Sequence, residues 1–388
     1  MKCAVTFCRY IVLFVICTFS NALWSYPQFI MYGYKSCSAC HFNPQGNGPL
    51  TDYGRAVSAS EIAAPPLYLS SDPEKLAEYS GFLGKATTLP TWLRPSLDYR
   101  GIAIWNAVHK AGSKGRYITM QADASLTLNF DKFVATASVG WVPKENRSSS
   151  QSEDALVTRE HYFSYRVSDD LWVGAGLMDV AYGIRIPDHV SFSRSRTTLA
   201  QNDQSHGVML VKKMGAWETT LHALVGNYVQ DEDKRQKGFS WLNEFEVAPK
   251  SKVGFSLLQT RGDLREKNLF ALHSRLTLLN STSLLTEVGM VRDTVWGGGQ
   301  YGTEFYTLNQ SFTRLTQGLF LLIDLESLSQ KNNTSSGMIH TFLMGPSLMW
   351  WPAQRVELRA DLRGVKTEAK NISSPFNWAS YLQAHLWF

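Results

Sequence analysis

The chain from about residue 95 onward alternates apolar and polar side chains in segments of roughly ten residues. The clearest segment is residues 118–130, where the apolar positions all fall on one face: Ile118, Met120, Ala122, Ala124, Leu126, Leu128 and Phe130. Residues 355–363 repeat the pattern, but their other face carries only charges: Arg355, Glu357, Arg359, Asp361 and Arg363. Period-two segments of this length are typical of membrane β-barrel strands, because a polar lumen accepts charges that a dry sandwich core would exclude.

We predict roughly sixteen antiparallel strands from this pattern. They lie near residues 95–108, 116–130, 132–142, 158–167, 171–183, 205–213, 216–228, 239–247, 252–260, 269–279, 283–291, 303–313, 319–328, 339–351, 355–365 and 378–388. The odd-numbered connections are predicted to be long and polar, as in residues 143–157 and 184–204, and the even-numbered ones to be tight. Long loops on one side and short turns on the other are typical of outer-membrane barrels with both termini in the periplasm. A secreted sandwich or propeller, the alternative, would not produce this regular alternation of connection lengths.

The region before the barrel has a different pattern. Residues 1–22 combine two cations, an apolar run and a site of small residues, which predicts a secretory signal peptide. Residues 23–94 show no alternation and contain two helix candidates, one near residues 52–63 and one that begins at Ser71. We therefore predict a signal peptide over 1–22, a small α-helical module over 23–94 that could plug the barrel, and a transmembrane barrel over 95–388.

Charge and cysteine content narrow the functional classes. The formal net charge of the whole chain is +5, which does not favour a nucleic-acid partner. Three of the five cysteines, Cys3, Cys8 and Cys17, lie in the predicted signal peptide. The mature chain would therefore keep only Cys37 and Cys40.

These two cysteines belong to the sequence CSACH, the C-x-x-C-H pattern of covalent haem attachment. Cys37 and Cys40 would form thioethers with the haem vinyl groups, and His41 would bind the iron as the proximal ligand. A thioredoxin-like redox pair, a disulfide and a zinc site are the alternatives. The first lacks a βαβ context, a disulfide across so few residues would add little stability, and residues 42–108 contain no further Cys or His for zinc.

The second axial ligand is not evident from the sequence. Met31 is one candidate, with a packing role in an apolar stretch as its alternative. Three histidines predicted to face the lumen are further candidates, namely His222, His273 and His385, and an open sixth position is equally compatible with the pattern. Arg55 is a candidate partner for a haem propionate or a plain surface cation.

The layout of the chain resembles the fused monohaem cytochrome–porins of the outer membrane, whose best-known members oxidise iron. The resemblance covers the architecture, and at the residue level it lies in "CSACHF" followed by "DYGRA". It implies one covalent haem c on Cys37 and Cys40, an iron ligand in His41, and electron transfer between an extracellular donor such as Fe(II) and a periplasmic carrier. The location it implies is the outer membrane of a Gram-negative bacterium, with the haem module in the periplasm or the lumen.

We therefore expect an outer-membrane electron conduit, with Fe(II) oxidation as a candidate activity. A passive porin with a structural or plug haem module is the alternative, and a haem peroxidase-like enzyme is another. Four residues of the long loops are candidate ligands for an extracellular cation, namely Glu153, Asp188, His189 and Asp203.

Overall fold

The computed structural model describes residues 27–388, apart from residues 35, 47, 66–71, 73–79, 81, 83–88, 107–113, 142–155, 189, 200–201, 297–299, 333–336 and 371. The predicted signal peptide, the helix predicted to begin at Ser71, and the loop residues Glu153 and His189 lie outside the described residues.

The described strands form one closed antiparallel barrel. Two of its 18 strands, β4 (Leu156–Val157) and β17 (Ile372–Ser373), are two-residue extensions. The remaining sixteen form the wall: β1 Leu93–Asn106, β2 Lys114–Phe130, β3 Phe133–Trp141, β5 His161–Ser168, β6 Leu171–Met178, β7 Ser205–Met214, β8 Trp217–Gly226, β9 Lys237–Ala248, β10 Ser251–Arg261, β11 Arg265–Leu279, β12 Thr282–Val295, β13 Gln300–Thr316, β14 Leu319–Asn332, β15 Ile339–Ala353, β16 Val356–Ala369 and β18 Asn377–Trp387. The barrel closes where β1 pairs with both β2 and β18, and the predicted barrel with its strand number is confirmed.

The alternation in the sequence becomes an apolar outside and a polar inside. Outward-facing positions carry exposed apolar side chains such as Leu126, Phe163 and Val208. Aromatic pairs lie at the short-turn end of the outer wall, where Trp92 stacks on Phe130 with ring centroids 6.0 Å apart. An apolar band with aromatic residues at its edge is what a lipid bilayer requires of a barrel.

Two details of the connections differ from the prediction. The strand predicted over 171–183 ends at Met178, because the chain leaves the wall there and turns into the lumen. The connection between β10 and β11 consists of residues 262–264 only, so the prediction that every odd-numbered connection is long was wrong at this point.

The described part of the chain before the barrel is short and only partly helical. It contains 3-10 turns at Pro27–Tyr32 and Cys37–Ala39, an α-helix at Asp52–Val57 and a π-helical turn at Ser58–Ile62. The helix predicted near residues 52–63 is confirmed, whereas a folded cytochrome domain is not shown. In the described residues, no helix has the length and apolar character needed to cross a membrane.

This N-terminal segment, residues 27–64, lies inside the barrel and is called the plug below. An apolar cluster joins the plug residues Met31, Val57, Ile62 and Ala63 to the inner wall residues Phe312, Phe320, Leu322, Met349 and Trp351. Gln317, in the turn between β13 and β14, donates from its side-chain amide to the carbonyls of Ser60 and Ala63 at 3.0 and 2.9 Å. The plug therefore occupies the short-turn half of the lumen.

A second segment also fills the lumen. The connection between β6 and β7, residues 179–204, packs its apolar side chains against the inner wall, as Val180, Tyr182 and Leu199 do. Carboxylates of the wall hold its backbone, and Glu326 accepts from the Phe192 amide at 2.6 Å and from the Ser191 hydroxyl at 2.9 Å. We call this segment the inner loop.

Candidate functional site

The three residues of the C-x-x-C-H motif border one cavity of about 280 Å³ between the plug, the inner loop and the barrel wall. A tight turn brings them together, since the backbone amides of Cys40 and His41 both donate to the carbonyl of Cys37, at 3.1 and 2.9 Å. Both thiols are free. The two thiols and the imidazole therefore border the same cavity.

The run Asn43-Pro44-Gln45-Gly46 folds back beneath this turn. The Asn43 side-chain oxygen accepts from the Gln45 amide at 3.0 Å, and the Asn43 carbonyl accepts from the Gly46 amide at 3.0 Å. Gly46 has a φ of +80°, and a Cβ at this position would lie 3.0 Å from the Cys37 sulfur. Only glycine combines this backbone conformation with such close approach to Cys37.

The ring of His41 is oriented by a backbone carbonyl. Its Nδ1 lies 3.4 Å from the carbonyl oxygen of Gly48, which can only accept a hydrogen bond. In the neutral ring Nδ1 then carries the proton, and Nε2 is the nitrogen with the lone pair. Iron- and zinc-binding histidines use the same arrangement, in which the other ring nitrogen donates to a carbonyl or carboxylate.

The short helix Asp52–Val57 supports the motif from below. Thr51 caps the helix by accepting from the Gly54 amide at 3.1 Å, and the Thr51 amide donates to the Cys40 carbonyl at 2.8 Å. Gly54 lies so close to Cys40 that a Cβ at Gly54 would be 2.3 Å from the Cys40 carbonyl oxygen. Residues 51–55 therefore fix the position of Cys40.

The two thiols are not activated as nucleophiles. Burial, the neighbouring Cys37 and the carboxylate of Glu61 raise the pKa of the Cys40 thiol to about 12. Burial likewise raises the pKa of Cys37. A dithiol redox pair needs a lowered thiol pKa, so the thioredoxin-like alternative is disfavoured.

A buried hydrogen bond clamps the motif loop to the barrel wall. The Asn43 amide donates to the carboxylate of Glu160 at 2.7 Å, and Asn43 and Glu160 are 0% and 3% exposed. The same carboxylate packs against Gly48, where an added Cβ would lie 2.0 Å from the Glu160 Oε2 atom. Glu160 thus holds the loop that carries the carbonyl facing His41.

Within the described part of the chain, two buried arginines at the cavity have N–H groups for which no acceptor is present. The Arg159 side chain donates to Asp123 and to Asn202, but its Nη2 is buried and has no acceptor. Arg55 donates from Nη2 to the Pro95 carbonyl at 3.0 Å, while its Nε has none. Buried guanidinium N–H groups of this kind are suited to an anionic group such as a carboxylate.

The candidates for the second axial ligand are dispersed. Met31 packs in the plug's apolar cluster and does not border the cavity, so its assignment as a distal ligand stays a prediction. His222 and His273 are buried in the wall away from the cavity. His385 does border it, but its ring nitrogens face Asp98 at 3.1 Å and Glu357 at 3.3 Å.

Asp188 lies in the lumen and not on an extracellular loop surface. It forms ion pairs with Arg363 and, at 3.1 Å, with Arg359 on β16. The prediction that Asp188 binds an extracellular cation was therefore wrong, because the inner loop folds into the barrel. Among the described residues, no group of three or more His, Cys, Asp and Glu side chains is arranged to hold a metal ion.

Sequence reasoning missed Glu160, Asn43 and Arg159. Glu160 lies at the end of a long loop, and only the closed barrel brings it next to Asn43, 117 residues away. The run NPQGNG directly after the motif was the available signal, since two glycines in six residues indicate close backbone packing.

No family model and no curated protein sequence matches the chain. Solved structures do match. A loop-deletion mutant of OmpT, an outer membrane protein of Vibrio cholerae, has a TM-score of 0.61 at 10% identity, covering 76% of this chain and 99% of that one. The outer membrane channel DcaP of Acinetobacter baumannii has a TM-score of 0.56 at 12% identity, covering 76% and 97% of the two chains. The anion-selective porin from Comamonas acidovorans has a TM-score of 0.54 at 10% identity, covering 76% and 99%.

At this level of identity the likeness shows the fold, which is a sixteen-stranded barrel of the porin type. With its apolar outer wall, this fold places the protein in the outer membrane of a Gram-negative bacterium, as predicted.

Proposed function

We propose that this protein is an electron conduit of the outer membrane, in which the barrel houses one covalent haem c on the plug. Cys37 and Cys40 would attach the haem, and His41 would bind its iron. The observation that carries the proposal is the position of the complete C-x-x-C-H motif inside the lumen, at a cavity, with Nδ1 of the His41 ring facing the Gly48 carbonyl.

The residues around the cavity fit a haem in three respects. Tyr34, Leu50 and Trp351 provide part of an apolar and aromatic wall. The unpartnered N–H groups of Arg55 and Arg159 suit the haem propionates. The plug–wall contacts keep the motif fixed within the barrel, whereas a domain on a flexible tether would move.

A haem bound here would supply one-electron redox chemistry, and the protein would supply position, dielectric and charge. In this proposal the haem would lie within the membrane-spanning barrel, between an extracellular donor or acceptor such as Fe(II) and a periplasmic carrier. Fe(II) oxidation is the candidate enzymatic activity within this proposal.

The test is an anaerobic visible spectrum of the detergent-purified protein, produced in a host that matures c-type cytochromes. We expect a sharp reduced c-type band on addition of Fe(II), and its loss in Cys40→Ala. Ser38→Ala is the matched control, because Ser38 lies in the same turn at a variable position of the motif. It should keep the band. A band with dithionite alone would retain the cytochrome but reject Fe(II) as donor, and no band at all would overturn the proposal.

A passive channel is the second candidate, and the likeness to porins favours it. In that case the plug would be a structural element, and the barrel would pass small solutes around it. Reduction of a haem by an external donor without measurable solute conductance would reject this candidate.

A further inference from the structure

Two histidines meet on the outer face of the barrel, away from the cavity. His161 begins β5 and His206 lies near the start of β7, and both are paired with Leu177 on the intervening strand β6. Each lies two residues before an exposed outward side chain, Phe163 or Val208, so both imidazoles face outward. They meet above Leu177, which is 0% exposed.

The two Nε2 atoms are 3.0 Å apart. On the His161 side, Nδ1 lies 3.2 Å from the Thr158 hydroxyl, which itself donates to the Glu160 carbonyl at 3.3 Å. A Thr158 hydroxyl that donates to the Glu160 carbonyl accepts from His161. Nδ1 of His161 carries the proton in the neutral ring, and its Nε2 presents a lone pair toward His206.

The His206 ring can adopt either tautomer. Its Nδ1 lies 3.2 Å from the Gly226 carbonyl, an acceptor, and 3.2 Å from the Tyr228 amide, a donor. With the proton on Nε2, His206 donates to His161. With the proton on Nδ1, it donates to the Gly226 carbonyl, and two Nε2 lone pairs converge on one point.

We propose that His161 and His206 form a binding site for a divalent transition-metal ion, in which the metal takes the place of the shared proton. Two nitrogens at about 2.0–2.1 Å from one zinc ion in tetrahedral geometry lie roughly 3.4 Å apart, so a small ring movement suffices. Imidazole ligands suit copper, zinc and nickel, whereas Mg²⁺ and Ca²⁺ require oxygen donors. Water completes the coordination.

The surroundings place the site at the outer rim of the barrel. The Tyr228 ring packs on His206 with centroids 4.6 Å apart, and the Arg235 guanidinium lies 5.2 Å from the Tyr228 ring centroid. Tyr228 is 56% exposed, so the rim beside His206 is open to solvent. A metal here joins β5 to β7 across one of the shortest strands of the wall, β6.

The test is copper binding by the detergent-purified protein after alkylation of any free thiols. We expect one more equivalent of Cu(II) in the wild type than in His161→Ala or His206→Ala, with an electron paramagnetic resonance signal split by two imidazole nitrogens. His340→Ala is the matched control, because His340 also faces outward but is hydrogen-bonded to Ser329 at 2.8 Å. It should bind as much copper as the wild type.

Heat-modifiable migration on a gel would establish that each variant is folded, and His206→Gln replaces any alanine variant that is not. Equal copper binding by the wild type and a folded His206 variant would overturn the proposal, as would a signal with one nitrogen or none. Neither outcome depends on whether the plug carries haem.

Discussion

At the scale of single residues, a buried hydrogen bond between Asn43 of the plug and Glu160 helps to hold the C-x-x-C-H motif at the wall. We expect Glu160→Ala to weaken the docking of the motif loop by about 1–3 kcal/mol, since it leaves the buried Asn43 amide without its acceptor. Glu160→Gln keeps an oxygen acceptor and should lose much less. Protease digestion of the folded barrel measures this, because a loosened plug is cut sooner, and equal rates for the two variants would contradict the assignment.

We expect the stability of the protein to depend on pH through the same group, Glu160. Burial and the neighbouring Asp179 raise the pKa of Glu160 above its ordinary value of 4.5. A carboxyl group whose pKa is raised in the folded state binds its proton more tightly there than in the unfolded state. The free energy of unfolding therefore falls as the pH rises from 4.5 toward that raised pKa. We expect the melting temperature to fall over this range in the wild type and to fall less in Glu160→Gln. A steeper fall in Glu160→Gln would refute this sign.

The motif residues could be predicted from the sequence, but their neighbours could not. Cys37, Cys40 and His41 lie within a few residues of one another in the chain, and their spacing predicts haem attachment, which stays a prediction. Glu160 and Arg159 reach them only through barrel closure, and no local pattern records that contact. Asp188 was misplaced for the related reason that a polar loop sequence does not show whether the loop folds inward or outward.

At the scale of elements, the inner loop depends on a buried charge network. Asp188 shares Arg359 and Arg363 with Asp324 and Asp361 of the wall. Burial alone would raise the pKa of Asp188, but Arg363 and Arg359 outweigh it and hold that pKa below its ordinary value. The loop is therefore anchored by a charge that persists throughout the neutral range.

We expect Asp188→Asn to destabilise the protein by about 3 kcal/mol, because it leaves two buried guanidinium groups with one carboxylate fewer. Asp231→Asn is the control, since Asp231 is an exposed residue paired with Lys234, and such surface pairs contribute about 0–1 kcal/mol. Thermal melting in detergent compares the two variants. Equal melting temperatures would mean that the ion pairs of Asp188 do not stabilise the inner loop.

The strands could be predicted because the alternation of apolar and polar side chains in each strand reflects the lipid on one face and the lumen on the other. In residues 118–130 lipid lies on one side and the lumen on the other, so the alternation is complete and the predicted strand matches β2, Lys114–Phe130. The prediction over 171–183 ran too far because residues 179–183 continue the apolar character of β6 while packing against the inner wall. Apolar side chains of the inner loop and the outer wall look alike in sequence.

At the scale of the whole molecule, the porin-type barrel and its filled lumen point to different functions. A sixteen-stranded barrel is wide enough for an aqueous channel unless something occupies it. Here the plug fills the short-turn half, and the inner loop spans the middle. We therefore expect a barrel filled in this way to pass solutes poorly.

Conductance in planar lipid bilayers tests this directly. We expect the wild type to conduct poorly and a variant that lacks residues 27–64 to conduct better, with the inner loop still in the lumen, because the deletion removes both the apolar cluster around Trp351 and the Asn43–Glu160 hydrogen bond. Cys40→Ala should remain as closed as the wild type, since Cys40 does not belong to the apolar cluster that joins the plug to the wall. A wild type that conducts as well as the deletion variant would mean that solutes pass around the plug, and the passive channel would then be the better account of the molecule.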